Sequence, residues 1–178
     1  MPENRAELES VRNRSPWQCK SVPDFSIQPG ANGIWTANVP EVAAGHWYFE
    51  QLWVNGQRAT RARTPNRFFN YMLAVREEAI TPGAAGQRPP RARQTITVRP
   101  DELRAVAALS ATELRDVNLL AFHKWDNTRR FLDSADARSG SLVTTGEGMK
   151  PWNAMGRNTG YILENFRAAL DEPGEWFL

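Results

Sequence analysis

The dipeptide Asn55-Gly56 constrains the fold most, because it stands between two segments rich in β-forming residues, 46–54 and 57–66. A type I′ turn needs positive φ at both central residues, and Asn-Gly tolerates that conformation well. We therefore predict a two-residue β-hairpin whose turn fixes the pairing of its strands. The predicted cross-strand pairs are Val54 with Gln57, Trp53 with Arg58, Glu50 with Arg61, and Phe49 with Ala62.

Further β-strands are predicted wherever β-branched and aromatic residues cluster between turn residues. Residues 34–39, 94–98 and 117–125 meet this description, and residues 128–135 and 141–145 predict a second hairpin around 138–140. In 117–125, alternation places Val117, His123 and Trp125 on one face. Residues 67–75 are compatible with a strand or with irregular structure, and 81–90 read as a loop.

Helices are predicted at few positions. Proline in the first turn and apolar residues at helical spacing predict a helix over residues 100–109, followed by a capping box from Ser110 to Glu113. Residues 161–170 show a helical stripe of Ile162, Phe166 and Ala169. The segment 171–174 then has the proline and glycine of a type II turn, before a short extended segment.

Together these elements predict a mainly β fold with minor α: a β-barrel or β-sandwich with one or two short packed helices. Residues 1–33 are expected to form an extended N-terminal segment, and residues 34–150 the β-rich domain. Residues 151–178 are expected to form a helix-turn-strand tail, whose end belongs to a truncated parallel β-helix or to an edge strand.

Composition narrows the classes of function. The chain has 178 residues, of which 41% are hydrophobic and 24% charged, and its net charge of +2 gives no reason to expect a nucleic-acid partner. No apolar run reaches the roughly 18 residues that suggest a membrane span, and the N-terminus shows no secretory signal. The single cysteine, Cys19, excludes an internal disulfide, and no metal-ligand spacing or cofactor motif is present. Asn13 begins a glycosylation sequon, which matters only after export.

Three stretches in order, residues 51–66, 121–130 and 161–176, resemble the β-rich domain inserted near the start of right-handed parallel β-helix proteins related to glycoside hydrolase family 141. The resemblance covers about residues 34–178, and its last stretch is the most specific. It implies an extracytoplasmic parent enzyme that acts on complex plant or algal polysaccharides with two carboxylates. In the family those carboxylates lie on the β-helix beyond the region matched here, so the resemblance implies an accessory domain without them.

Several residues are candidates for glycan contact. Seven tryptophans offer flat faces for sugar rings as well as area for the core. The loop residues Trp152 and Asn153 are the preferred ligand-binding candidates because aromatic residues on loops often carry recognition. Arg61, Arg63 and Asn66 are candidates for binding acidic sugar groups. Trp125 and Trp176 complete the set, with His123 beside Trp125. The structural alternatives are a core face for His123 and Trp125, and pairing with Glu50 and loop carbonyls for the arginines.

Asp171, Glu172 and Glu175 form the densest carboxylate cluster near aromatic residues. They are the catalytic candidates, with helix capping by Asp171 and solvation of the glutamates as the alternative. The first hypothesis is therefore a non-catalytic accessory domain of a polysaccharide-degrading β-helix protein. A stand-alone carbohydrate-binding module with a tryptophan platform and a small glycoside hydrolase remain open. The expected partner is a polysaccharide or oligosaccharide, and the expected location is periplasmic or secreted.

Overall fold

The computed structural model describes residues 27–29 and 33–178, which fall into two compact units, Met1–Glu50 and Gln51–Leu178. In the first unit, β1 (Ile27–Pro29) pairs with β2 (Trp35–Ala37) in antiparallel fashion, and a helical turn follows at Pro40–Ala43. The predicted strand over 34–39 is thereby confirmed. Most of the expected N-terminal segment, with the glycosylation sequon and Cys19, lies outside the described residues.

The second unit, all of whose residues are described, contains twelve strands of two to ten residues and a few helical turns. Its strands are β3 (Trp53–Val54), β4 (Gln57–Arg58), β5 (Thr60–Arg61), β6 (Arg63–Thr64), β7 (Asn70–Tyr71), β8 (Ala74–Thr81), β9 (Arg91–Thr97), β10 (Asn118–Phe122), β11 (Asn127–Asp136), β12 (Ser141–Gly146), β13 (Gly160–Glu164) and β14 (Glu175–Trp176). The helical segments are Pro100–Leu103, Arg104–Ala107, Ala111–Leu114, Pro151–Asn153 and Arg167–Ala169, of which the first and the last two are 3₁₀ turns.

One antiparallel sheet dominates this unit, with strand order β6-β13-β10-β11-β12-β9-β8 and β7 also paired to β13. The predicted mainly β fold with short helices is therefore confirmed. Of the two architectures left open, a closed barrel does not form among the described residues, because the sheet path ends at β6 and β8 without joining them. The remaining pairs are β3 with β4 and the parallel pair β5 with β14.

The core lies between this sheet and the helical turns. Alternation along β9 buries Ala92, Gln94 and Ile96 on one face, as a half-buried strand requires. The turns contribute Leu103, Val106 and Leu114, which belong to the same buried cluster as apolar residues of β10, β12 and β13. Each fully buried large side chain stabilises the fold by roughly 1.5–3 kcal/mol.

The Asn55-Gly56 hairpin forms with the predicted pairs Trp53 with Arg58 and Val54 with Gln57. Asn55 and Gly56 have φ of 51° and 77°, as the turn requires. The predicted continuation of the ladder is wrong. After Ala59, whose N–H donates to the Leu52 carbonyl, the chain changes partner, and β5 pairs in parallel with β14. Arg61 and Ala62 are thereby buried, while Thr60 stays exposed.

The second hairpin and the helix over residues 100–109 are also confirmed. β11 and β12 pair around the turn at 138–140. Pro100–Leu103 forms a 3₁₀ turn that continues into the α-helical Arg104–Ala107. The capping box is formed as predicted, because Ser110 Oγ accepts the Glu113 N–H and Glu113 Oε2 accepts the Ser110 N–H at 2.9 Å.

The helix predicted over residues 161–170 is wrong. Gly160–Glu164 is β13, followed by Asn165 at φ 72° and by the 3₁₀ turn Arg167–Ala169. All five residues of β13 are buried, and such a fully buried strand lacks the alternation that would distinguish it from a helix. The strand lies between β10 and β6, so β13 is part of the central sheet, whereas β14 pairs with β5 outside it.

Candidate functional site

The candidates Arg61 and Trp176 lie in a buried ionic cluster between the sheet and β14. Arg61 Nε donates to Asn165 Oδ1 at 3.2 Å, and its guanidinium group lies 5.1 Å from the centre of the Trp176 ring. The buried carboxylate of Glu164 lies 3.6 Å from Arg61 and 2.9 Å from Arg129. Because Arg61, Glu164 and Trp176 are all buried, this cluster holds strands together and leaves no face for a sugar.

Arg63 and Asn66 connect the same region to the tail. Arg63 Nη2 donates to the Asn66 carbonyl at 3.1 Å, and Asn66 Nδ2 donates to Asp171 Oδ1 at 2.7 Å. These contacts join the loop after β6 to the segment before β14. Arg63 and Asn66 are half-buried. Both therefore make structural contacts at the positions where sequence reasoning anticipated a ligand.

The carboxylate trio closes a turn. Glu175 Oε2 accepts the backbone N–H groups of Asp171 and Glu172 at 3.1 and 3.2 Å. Gly174 has φ of 84°, as the third residue of a type II turn requires. Helix capping by Asp171 is wrong, because its carboxylate instead accepts from Asn66. The observed contacts explain this cluster by local structure.

Trp125 and Trp152 form the exposed part of the candidate set, at 79% and 66% of their maximal exposure. Trp125 lies in the turn between β10 and β11, and Trp152 lies in the 3₁₀ turn Pro151–Asn153. Asp126 follows Trp125 in sequence, and Asn153 follows Trp152. These two residues are hydrogen-bonded to each other, with Asn153 Nδ2 donating to Asp126 Oδ1 at 2.5 Å. We call Trp125, Trp152 and this connecting pair the tryptophan surface.

Lys150 completes the tryptophan surface. Its Nζ donates to Asp126 Oδ2 at 2.9 Å and lies 5.1 Å from the centre of the Trp152 ring. The hydrogen bond from Lys150 lowers the pKa of the Asp126 carboxyl, which therefore stays ionised at neutral pH. Asp126 thus holds the two loops in register while Lys150 adds a cation beside the ring. Sequence reasoning missed Asp126 and Lys150, since they are brought together only by the packing of separate loops.

His123 stabilises the turn that carries Trp125. It lies just after β10, with its N–H donating to the Asp126 carbonyl at 2.9 Å and its Nε2 2.9 Å from Thr128 Oγ1. Burial lowers the pKa of His123, and the nearby Asp126 charge opposes this only in part. The imidazole is therefore neutral at pH 7, and it orders the turn that carries Trp125. The predicted strand ends at Phe122, so Trp125 does not join the core face.

Comparisons with known proteins give no relative on which to base a function. No protein family matches the chain, and neither a curated protein nor a solved structure is significantly similar to it. Among the described residues, no helix is long and apolar enough to cross a membrane. In the same part of the chain, no three His, Cys, Asp or Glu side chains gather in a way that would hold a metal ion.

Proposed function

We propose that the chain is a non-catalytic, carbohydrate-binding accessory domain, and that the tryptophan surface is its glycan site. The observation that carries the proposal is the exposure of two tryptophan rings on loops fixed by the Asp126–Asn153 hydrogen bond. Large aromatic faces exposed to water lose hydrophobic stabilisation, so their retention on ordered loops favours a binding role. Sugar rings suit such faces because their C–H groups stack on the aromatic ring.

The polar groups around the rings match the needs of a sugar. Asp126 accepts hydrogen bonds and Lys150 donates them, whereas the buried Asn153 holds Asp126 in place. Lys150 lies over one face of the Trp152 ring, and the proposal assigns sugar stacking to the opposite face. The resemblance of the chain to the insertion domain of polysaccharide-active β-helix proteins supports a polysaccharide as the partner and an extracytoplasmic setting.

Catalysis within this chain receives no comparable support. Two of the three carboxylates in the tail participate in hydrogen bonds that close or anchor a turn. The proposal therefore assigns glycan cleavage to a separate catalytic region of the parent protein.

Affinity electrophoresis in gels containing xylan, alginate or fucoidan tests the proposal. These polysaccharides are neutral, carboxylated and sulfated, respectively. The chain is expected to be retarded by at least one of them, and Trp125→Ala and Trp152→Ala are each expected to weaken binding about tenfold or more, the equivalent of ~1.4 kcal/mol. Trp53→Ala is the matched control, since Trp53 is 59% exposed on the β3–β4 hairpin. Unaltered mobility of the wild-type chain in all three gels would refute the proposal.

A further inference from the structure

A second exposed aromatic group lies near the tryptophan surface. Phe68 is 87% exposed and Tyr71 is 51% exposed. Phe68 also has φ of 61°, a left-handed conformation that is unfavourable for a bulky residue. Backbone strain of this kind persists where the surrounding structure imposes it, and it concentrates at functional sites. A phenylalanine that is both strained and exposed contributes little to folding, which directs attention to a role in binding.

Strand register brings this group to the same end of the sheet as Trp125. Tyr71 pairs with Gly160 on β13, and Gly160 pairs with Phe122 on β10. Since neighbouring strands are about 4.8 Å apart, the Tyr71 and Phe122 backbones are roughly 10 Å apart. The chain reaches Trp125 in the turn that follows Phe122.

The Phe69 ring fills the space between them. It packs on the Phe122 ring with centroids 4.5 Å apart. A Cβ on Gly160 would lie 3.4 Å from Phe69, so the Phe69 ring lies against β13 at Gly160, between Tyr71 and Phe122. Phe69 and Phe122 therefore support a continuous band from Phe68 and Tyr71 to Trp125.

The charged residues in the two segments beside β7 are both arginines. Residues 64–73 and 154–163 contribute Arg67 and Arg157 and contain no Asp or Glu. Arg157 immediately precedes Asn158, whose N–H donates to the Met72 carbonyl at 2.8 Å, so both arginines belong to segments beside β7. Both are exposed. Arginine binds carboxylate and sulfate groups through paired N–H donors.

Resting on the proposed function, we propose that the glycan site extends along this band and takes a long, anionic polysaccharide chain. The tryptophan surface binds one part of the chain, while Phe68 and Tyr71 stack on sugars further along. Arg67 and Arg157 pair with the acidic groups of that second part. The band alternates aromatic and polar residues, such as the exposed Asn127 and Asn158, which suits a chain of sugars with apolar faces and hydroxyl edges.

Calorimetric titration of the full chain with alginate, fucoidan and xylan oligosaccharides, from disaccharide to hexasaccharide, tests the inference. Affinity for alginate or fucoidan oligosaccharides is expected to rise about tenfold or more from disaccharide to hexasaccharide. Phe68→Gly and Tyr71→Ala should remove that rise and leave disaccharide affinity unchanged, whereas Trp125→Ala should weaken binding at every length. Arg157→Gln should reduce the rise for acidic chains, with Arg138→Gln, an exposed arginine in the β11–β12 turn, as control.

The two proposals fail differently. If the Phe68 and Tyr71 variants match the wild-type chain at every length, or if xylan gains as much affinity as the acidic series, the inference is overturned while the tryptophan surface stands. Wild-type chain that binds no oligosaccharide of any series overturns both. Phe68→Gly also controls for folding. Because glycine accepts positive φ, the melting temperature of this variant should equal or exceed that of the wild-type chain. Sedimentation analysis showing self-association that Phe68→Gly abolishes would instead assign the band to an interface between copies.

Discussion

At the scale of single residues, the buried charge of Glu164 is the most consequential. Its carboxylate lies 2.9 Å from Arg129 and 3.6 Å from Arg61. Glu164→Gln keeps the shape but leaves two guanidinium groups without this counter-charge. Removing one partner of a buried ion pair costs about 3–5 kcal/mol, and the lower end applies because Arg129 is partly exposed. Urea denaturation should show this loss, whereas the exposed control Glu172→Gln should unfold like the wild type. Equal stability of the two variants would contradict the role of the cluster.

The same residues show what the sequence could predict of the site. Trp152 and Asn153 were recognisable as loop residues from the Pro and Gly around them, whereas Trp125 was predicted to end a strand and lies instead in the turn after β10. The structure connects their loops through the hydrogen bond between Asn153 and Asp126. Arginine and tryptophan are common in sugar-binding sites, yet Arg61 and Trp176 are buried. Their burial depends on the parallel pairing of β5 with β14, across more than a hundred residues of sequence. Local pattern carries no information about such a contact.

At the scale of elements, the two hairpin turns allow a matched comparison. Gly56 and Gly140 both have positive φ, 77° and 65°. A methyl group at position 56 would meet open space, whereas one at position 140 would overlap the Val98 carbonyl oxygen. Gly56→Ala therefore adds only conformational strain, about 1–2 kcal/mol. Gly140→Ala adds overpacking and should cost about 2–5 kcal/mol in thermal or urea unfolding.

The larger loss of stability expected for Gly140→Ala arises because the Gly140 turn contacts another element. The Gly140 carbonyl accepts the Val98 N–H at 2.8 Å, which fastens the β11–β12 turn to the end of β9. Apart from its two neighbours in the chain, no atom of the described residues lies within 4 Å of a methyl group placed on Gly56. Similar losses for the two alanine variants would mean that backbone strain alone determines the effect and that the contact with Val98 is unimportant.

Elements with a strong local signal were predictable. The Asn-Gly turn, the capping box and the proline at the start of Pro100–Leu103 each depend on interactions within a few residues. β13 was not predictable as a strand, because a strand buried on both faces is a short apolar run that also fits a helix. The predicted pairing beyond the first hairpin failed because the turn determines only the nearest pairs, and burial of Arg61 and Ala62 beside β14 competes with a longer hairpin.

At the scale of the molecule, the second unit contains the whole of the buried cluster around the main sheet. Its members run from Ala62 to Ala169, and partly buried residues as late as Phe177 pack against them. The open antiparallel sheet joins strands that are distant in sequence, so its order follows from long-range packing that no single segment specifies. Fold class followed from the number of β segments, whereas strand order required the structure.

A fragment of residues 51–178 is therefore expected to fold by itself. It retains the main sheet, the helical turns and the ionic cluster. Its urea unfolding should be a single cooperative transition, and its NMR spectrum should show dispersed amide signals.

The matched control fragment ends at residue 174 and lacks β14. It loses the Trp176 carbonyl that accepts the Ala62 N–H at 2.8 Å, the ring over Arg61, and the Leu178 N–H that donates to Asn165 Oδ1. The shorter fragment should be less stable by at least about 3 kcal/mol, as expected when buried charges lose their cover. A fragment of 51–178 without a cooperative transition would show that residues 1–50 are needed for folding, and equal stability of the two fragments would remove β14 from the core.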